Sequence, residues 1–182
     1  RGLASKGKET VGNFVVDMIR TILWVLLPLS ILLAVLLVSE GSPQSLQARV
    51  TATTLEGGPQ TIPLGPVASQ VAIKQLGSNG GGFFNANSAH PYENPTPLSN
   101  FLEALAILLI PAALCYTFGL MVGDTRQGWA ICAAMMILLL SLIPLGLWAE
   151  QRDNPLLAPA GVDQQVEAGL SGENMEGKEL RF

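Results

Sequence analysis

Residues 77–87 read Gly77-Ser78-Asn79-Gly80-Gly81-Gly82-Phe83-Phe84-Asn85-Ala86-Asn87, with four glycines and three asparagines around two phenylalanines. Glycine has no Cβ, so successive glycines let the backbone adopt positive φ and bring its amides or carbonyls close to a ligand. This composition is typical of a binding loop rather than of a packed core. The loop alone leaves open whether the ligand is an anion held by amides or a cation held by carbonyls.

The composition of the whole chain is that of a membrane protein. Of the 182 residues, 49% are hydrophobic and only 13% are charged, about half the charged fraction of an average soluble domain. The net charge of −4 provides no basic surface for nucleic acid. Cys115 and Cys132 lie in apolar runs without metal-ligand spacing and are expected to be small buried residues. Because the chain starts at Arg1 without a methionine, we also expect it to be part of a longer protein.

Three stretches are long and apolar enough to cross a bilayer as helices, and we place them at residues 15–39, 101–123 and 129–149. Uncharged runs of about 19 or 20 residues match a hydrocarbon core roughly 30 Å thick. Pro28 lies in the first span, where a kink is tolerated if neighbouring groups satisfy the freed carbonyl. Ser99 or Asn100 is expected to cap the second helix, with Glu103 in its first turn.

The connecting segments are polar. Residues 40–64 predict a loop with a short hairpin around residues 56–59, where glycines and a proline cluster. Residues 88–100 contain three prolines, and we expect the part up to Pro97 to be rigid and extended because proline restricts both itself and the residue before it. Residues 150–182 return to a polar loop composition.

A short helix is predicted directly before the glycine loop. It follows Gly65-Pro66, and proline at the first helical position is a good start signal. The helix has only about ten residues, which is too short to span a bilayer. Because it ends at the loop, residues 65–87 predict a re-entrant pore helix with a filter loop that enters the membrane and turns back.

The basic residues predict the orientation. Arg1, Lys6 and Lys8 precede the first span, and Arg126 lies between the second and third spans. Basic residues favour the cytoplasmic side, which places residues 1–14 and 124–128 there. The re-entrant segment then enters from the extracytoplasmic side. The three remaining connecting segments lie on that side as well: residues 40–64, 88–100 and 150–182.

The polarity of the short helix favours a cation. Its C-terminal end, which carries about half a negative charge, points toward the loop. Backbone carbonyls can then replace the hydration shell of an alkali ion, although four such loops around one axis would be needed to surround it. An anion-binding loop is disfavoured because Gly82 is followed by Phe83-Phe84 rather than by the Gly-Lys-Ser/Thr ending of a phosphate loop.

Three charged or titratable residues lie in or near the loop. His90, the only histidine, is expected to have a structural role beside Pro91. Glu93 could raise the cation concentration at the outer mouth, but a loop carboxylate is usually solvated. Lys74 lies in the short helix, where its charge would repel a cation unless it reached away or paired with a carboxylate. We expect an anchoring or pairing role for Lys74, and the residues contain no visible catalytic set.

Several long motifs resemble the potassium-binding subunits of bacterial Kdp potassium-transporting ATPases. The resemblance covers nearly the whole chain, including both ends. Ser78 stands where that family more often has threonine, and Tyr92 where it more often has phenylalanine, and both changes are conservative. The matching stretches are residues 13–24, 65–70, 72–74, 76–88, 93–96, 123–124, 126–128, 174–179 and 181–182.

The resemblance implies a fold and a function. It implies an all-α membrane protein with potassium-channel-like repeats of transmembrane helix, pore helix with filter loop, and transmembrane helix. This chain would hold the second of four repeats and one further transmembrane helix. No organic cofactor is implied. The implied potassium ligands are the backbone carbonyls of five residues: Ser78, Asn79, Gly80, Gly81 and Gly82.

The implied function is that of a channel-like component of a high-affinity potassium uptake complex. It would be a multi-pass protein of the bacterial plasma membrane that binds K⁺ from outside and passes it toward a P-type ATPase subunit. ATP hydrolysis would occur on that partner, and small accessory subunits would complete the complex. Two alternatives stay open, a passive channel or secondary symporter of the same superfamily and a membrane scaffold with an inert loop.

Overall fold

The computed structural model describes residues 12–78, 82–84, 88 and 90–150. Residues 1–11 and 151–182 lie outside the described residues, and with them most of the predicted terminal segments 1–14 and 150–182. The same holds for Asn79, Gly80 and Gly81 of the predicted filter. The described residues up to Pro111 form one compact unit, and those from Ala112 onward form a second. The candidate loop belongs to the first unit.

The first apolar helix runs from Phe14 to Ser39 and contains a widened turn. It consists of α1 (Phe14–Thr21), a π-helical turn (Ile22–Leu26) and α2 (Leu27–Ser39), and Asn13 caps α1 by accepting the N–H of Val16 at 3.2 Å. Proline has no N–H, so Pro28 cannot bond the carbonyl four residues before it. The π-helical turn lies directly before Pro28, and there the N–H of Leu27 bonds the Ile22 carbonyl five residues back. The proline is thus accommodated by a local change of register within a continuous helix.

The polar segment after this helix contains the predicted hairpin. Strands β1 (Arg49–Thr53) and β2 (Pro59–Pro63) pair antiparallel, with Arg49 opposite Pro63 and Thr53 opposite Pro59. The turn is closed by the Thr54 N–H, which donates to the Gly58 carbonyl at 2.8 Å. Most residues of both strands are exposed. The hairpin predicted around residues 56–59 is confirmed.

Helix α3 (Val67–Leu76) is ten residues long and is buried along most of its length. Its apolar side chains pack against Leu33 and Leu37 of α2 and against Ala106 further along the chain. Small residues permit this close packing, since Ala68 and Ala72 are completely buried. A helix of this length buried among longer helices matches the predicted short helix, and it delivers the chain to the glycine loop from within the core of this unit.

Helix α4 (Pro97–Val122) begins earlier than predicted. Thr96, rather than Ser99 or Asn100, caps it: the Ser99 N–H donates to Thr96 Oγ1, and the Thr96 N–H donates to Ser99 Oγ, both at 3.0 Å. This reciprocal pair resembles a capping box and places Pro97 at the first helical position. The expected cap residues therefore lie within the first turn.

The segment before α4 is folded into turns, so the prediction of an extended segment is wrong there. The N–H groups of Glu93 and Asn94 both donate to the His90 carbonyl, at 2.9 and 3.1 Å. Glu93 and Asn94 are completely buried. Hydrogen bonds to the Asn94 side chain and to Glu93 Oε1 favour a compact turn over the extended conformation that the prolines alone suggest.

The second unit contains the end of α4 and α5 (Thr125–Glu150). The connecting turn has Gly123 at φ +78°, and Asp124 Oδ1 accepts the N–H of Arg126 at 3.0 Å. Tyr116 and Trp129 form an edge contact with ring centroids 6.3 Å apart. Phe14–Ser39, Pro97–Val122 and Thr125–Ala149 are each long and apolar enough to cross a membrane. The predicted mostly helical membrane fold with three spans is confirmed.

Candidate functional site

Helix α3 ends at the start of the glycine loop, and the second residue of the loop has a positive φ. The Gly77 N–H donates to the Ile73 carbonyl at 3.0 Å, which closes the last helical turn. Ser78 then adopts φ 52°, in the left-handed region that L-residues rarely occupy. Its hydroxyl donates to the Ile107 carbonyl on α4 at 3.2 Å. Of the five predicted ligand residues, Ser78 and Gly82 lie in the described part of the chain, on either side of the three that do not.

Residues 82–84 of the glycine loop are held by a carboxylate. The N–H of Phe83, the residue after Gly82, donates to Glu93 Oε1 at 2.6 Å. The rings of Phe83 and Phe84 meet edge to face with centroids 5.0 Å apart, and both pack against the core around α3. The phenylalanines therefore attach the loop to the apolar interior, while Glu93 binds its backbone.

Lys74 pairs with this same carboxylate. Lys74 Nζ lies 3.7 Å from Glu93 Oε1, and their side chains are 4% and 0% exposed. Lys74 also donates to the Ser88 hydroxyl. The predicted pairing of Lys74 with a carboxylate is confirmed, whereas the expectation of a solvated Glu93 is wrong. Since its partner is a buried ammonium, Glu93 is drawn into the interior together with the turn that carries it.

Gln75 extends the buried polar cluster to α4. Its Nε2 donates to Ser88 Oγ at 3.1 Å and to Glu103 Oε2. Glu103 is completely buried, although its position predicted only a favourable charge in the first turn of a helix. One feature of the sequence could have indicated that Glu103 has a polar partner. Glu103 is a lone carboxylate beside a long apolar run, and such a residue is costly to bury without a partner.

A second polar group fixes the turn that carries Glu93. Asn94 Nδ2 donates to Asn100 Oδ1 at 2.8 Å, and Ser99 Oγ donates to Asn94 Oδ1 at 2.6 Å, which joins the turn to the start of α4. Ser42 Oγ donates to the Glu93 carbonyl at 3.2 Å from the other side. These contacts hold the turn between the start of α4 and the loop that follows α2, so the carboxylate is presented to the glycine loop from a supported position.

His90 supports the same turn. Its Nδ1 accepts the Tyr92 N–H at 3.1 Å, and its ring lies against Phe84 with centroids 4.3 Å apart. These contacts agree with the structural role predicted for His90.

The electrostatics of this region follow from the pairing. The carbonyl end of α3 carries a partial negative charge that favours a cation beyond it. Lys74 lies in the last turn of that helix, where its own charge would oppose this effect. Because Glu93 lies beside the Lys74 ammonium, the opposing charge is largely compensated. The region beyond α3 therefore keeps a polarity that suits a positive ion.

The family assignment follows from comparison with known proteins. A family model described as the potassium-transporting ATPase A subunit matches residues 1–182, the whole chain. The chain belongs to this family. The resemblance inferred from the motifs around the glycine loop is thereby confirmed.

Relatives in this family match the chain over its full length. The potassium-transporting ATPase potassium-binding subunits of Herpetosiphon aurantiacus and Sorangium cellulosum are each 59% identical to it over 191 residues. The subunit of the same name from Mycobacterium tuberculosis is 57% identical over 182 residues. The chain spans about a third of the length of these relatives, 32–33%.

Proposed function

We propose that this chain is a potassium-binding and translocating segment of a channel-like subunit in an ATP-driven potassium uptake complex. The observation that carries the proposal is α3, a ten-residue helix with seven buried residues that ends directly at the glycine loop. The names of the relatives, which describe a potassium-binding subunit, support the same function.

The ligands in this proposal are the backbone carbonyls of the filter loop: Ser78, Asn79, Gly80, Gly81 and Gly82. Carbonyl oxygens suit K⁺ because they replace its hydration shell without adding a fixed charge that would trap the ion. The negative end of α3 and the compensated charge of Lys74 favour a cation at this place. Three further loops, elsewhere in the complete subunit, would finish the coordination shell.

The remaining parts of the proposal concern the complex. The subunit resides in the bacterial plasma membrane, receives K⁺ from the extracytoplasmic side and passes it to a P-type ATPase subunit, with small accessory subunits in the assembly. ATP is hydrolysed on that partner. The relatives' names favour this ATP-driven function over a passive channel or a secondary symporter, because each name includes the transporting ATPase.

A substitution at Gly80 tests the proposal. We expect Gly80→Ala in the complete complex to raise the K⁺ concentration for half-maximal ATP hydrolysis by about tenfold, a loss of about 1.4 kcal/mol in binding. Glycine can adopt backbone conformations that a residue with a Cβ rarely adopts, so alanine would restrict the conformations that bring a carbonyl to the ion. Discrimination against Rb⁺ and Na⁺ should weaken as well.

The matched control is Gly58→Ala in the hairpin turn, where an added Cβ would make only an ordinary contact of 3.6 Å with Thr54. This variant should hydrolyse ATP with an unchanged K⁺ dependence. If Gly80→Ala also keeps its K⁺ dependence and its ion discrimination, the loop does not bind the transported ion and the proposal fails.

A further inference from the structure

We propose that Glu93 is a positioning residue that fixes the direction of the Gly82 carbonyl at the end of the filter loop. This inference rests on the proposed function, since it assigns a role relative to the same ion site. Glu93 lies outside the glycine loop and needs no contact with K⁺. It acts through the backbone, by accepting the Phe83 N–H at 2.6 Å.

The planarity of the peptide group connects this hydrogen bond to the ion site. The C=O of Gly82 and the N–H of Phe83 belong to one peptide unit, which is rigid and almost always trans. In a trans peptide the two bonds point in opposite directions. When Glu93 holds the N–H, the Gly82 carbonyl therefore points away from Glu93, and it can rotate only by breaking a hydrogen bond to a charged acceptor. Such bonds are among the strongest that proteins form.

The carboxylate can perform this task because burial and several contacts hold its residue in place. Glu93 is completely buried, and its backbone carbonyl accepts the Ser42 hydroxyl at 3.2 Å. Its Oε1 atom is shared between the Phe83 N–H and Lys74 Nζ, which lies 3.7 Å away. A buried oxygen that accepts one hydrogen bond and also belongs to an ion pair is restricted in position, so it favours one orientation of the peptide group that it holds.

Lys74 balances the charge of the Glu93 carboxylate. An uncompensated carboxylate would be costly to bury and would add a full negative charge close to the filter. With Lys74 beside it, Glu93 supplies a charged acceptor for the peptide while the net charge of the pair is zero. The pair thus controls geometry at the filter without acting as a fixed ion trap. The charge and the side-chain length of Glu93 can be changed separately by substitution.

Two substitutions at Glu93, made in the complete complex, separate these contributions. Glu93→Asp keeps the charge but shortens the side chain by one methylene, so the carboxylate no longer reaches the Phe83 N–H. Glu93→Gln keeps the length but removes the charge, which weakens the bond to the peptide and removes a charged partner of Lys74. We expect both variants to raise the K⁺ concentration for half-maximal ATP hydrolysis by about tenfold, as for the loss of a charged hydrogen bond. The ratio of the half-maximal concentrations for Rb⁺ and K⁺ should also fall.

The matched controls are Glu40→Asp and Glu40→Gln. Glu40 accepts the Thr96 hydroxyl at 2.5 Å at the start of α4 and provides the same pair of chemical changes away from the filter loop. These variants should retain the normal K⁺ dependence. A purely structural role for Glu93 predicts a different result: less assembled complex, with normal K⁺ affinity and a normal Rb⁺ to K⁺ ratio in the fraction that assembles. That result would overturn the proposal.

A measurement on the unsubstituted complex keeps the proposal testable if the Glu93 variants do not assemble. Hydrogen–deuterium exchange of the peptide that contains Phe83 should show an amide protected as strongly as those of α3. Exchange at the rate of a solvated loop amide would contradict the proposed bond. If Gly80→Ala changes the K⁺ dependence while the Glu93 variants do not, the positioning role fails and the proposed function stands. If neither changes it, the proposed function fails first.

Discussion

Gly65 lies beside the ring of Phe83 and links the start of α3 to the part of the glycine loop that the structure describes after Gly82. Its φ is +146°, and a Cβ at this position would overlap Cζ of Phe83 and approach Cε1 to 3.1 Å. A side chain here would therefore combine backbone strain with a clash. We expect Gly65→Ala to destabilise the complete complex by about 2–4 kcal/mol, the sum of an unfavourable φ and an overpacked ring. The melting temperature of the purified complex measures this loss.

Two glycines of the hairpin turn separate the two causes. Gly57 has φ +84° but nothing within 4 Å of an added Cβ, so Gly57→Ala reports the backbone strain alone. Gly58→Ala should be nearly neutral, because its only close contact is an ordinary one with Thr54 Oγ1. Equal melting temperatures for the Gly65→Ala and Gly57→Ala complexes would show that the Phe83 ring moves aside without cost.

The Lys74–Glu93 pair shows what sequence reasoning can achieve for single residues. A lysine in an apolar half-helix must find an anion or reach water, so a partner carboxylate was predictable. The identity of that partner was not, because the two residues are separated along the chain by the entire glycine loop. Glu93 lies among prolines and polar residues that suggest an exposed segment, and its burial depends on contacts with Ser42, Phe83 and Lys74 that no local pattern encodes.

Helices α4 and α5 approach each other closely through two glycines. A Cβ on Gly128 would overlap the Cys115 carbonyl oxygen and lie 3.2 Å from the Gly119 backbone. Small residues let helix backbones come this near in membrane proteins. We expect Gly128→Ala to separate the two helices and to destabilise the complex by about 1–3 kcal/mol, the usual cost of overpacking. Thermal unfolding of the purified complex provides the measurement.

Gly146 of the same helix is the matched control, since nothing lies within 4 Å of its added Cβ. Gly146→Ala should be neutral or stabilising by up to about 1 kcal/mol, because alanine favours a helix more than glycine does. Equal melting temperatures for the Gly128→Ala and Gly146→Ala complexes would contradict the close approach.

The elements themselves were predictable to different degrees. Hydrophobic run length placed all three long helices, because burial in a bilayer requires about 20 apolar residues whatever their order. The start of α4 was placed too late, although Thr96-Pro97 followed by Ser99 contains the capping signal in full. The π-helical turn at Ile22–Leu26 was not predicted, since a proline in a helix can be accommodated by a kink, a widened turn or an added partner.

At the scale of the whole molecule, the sidedness of the chain decides whether the proposed filter loop would receive ions from outside the cell. The helix Phe14–Ser39 has 26 residues and spans about 39 Å, so its ends lie on opposite sides of a bilayer if it crosses. Basic residues precede it and predict a cytoplasmic start. The hairpin that follows would then be extracytoplasmic, as an uptake function requires.

Cysteine labelling in intact cells tests this orientation. In a complete subunit whose native cysteines are replaced, Leu55→Cys and Ser5→Cys place single thiols in the hairpin turn and before the first span. Leu55 is fully exposed in that turn, so a thiol there is accessible to reagent. We expect a membrane-impermeant maleimide to label Leu55→Cys in intact cells and Ser5→Cys only after permeabilisation. The reverse pattern would place the entry to α3 and its loop on the cytoplasmic side, which would contradict the proposed entry of K⁺ from outside the cell.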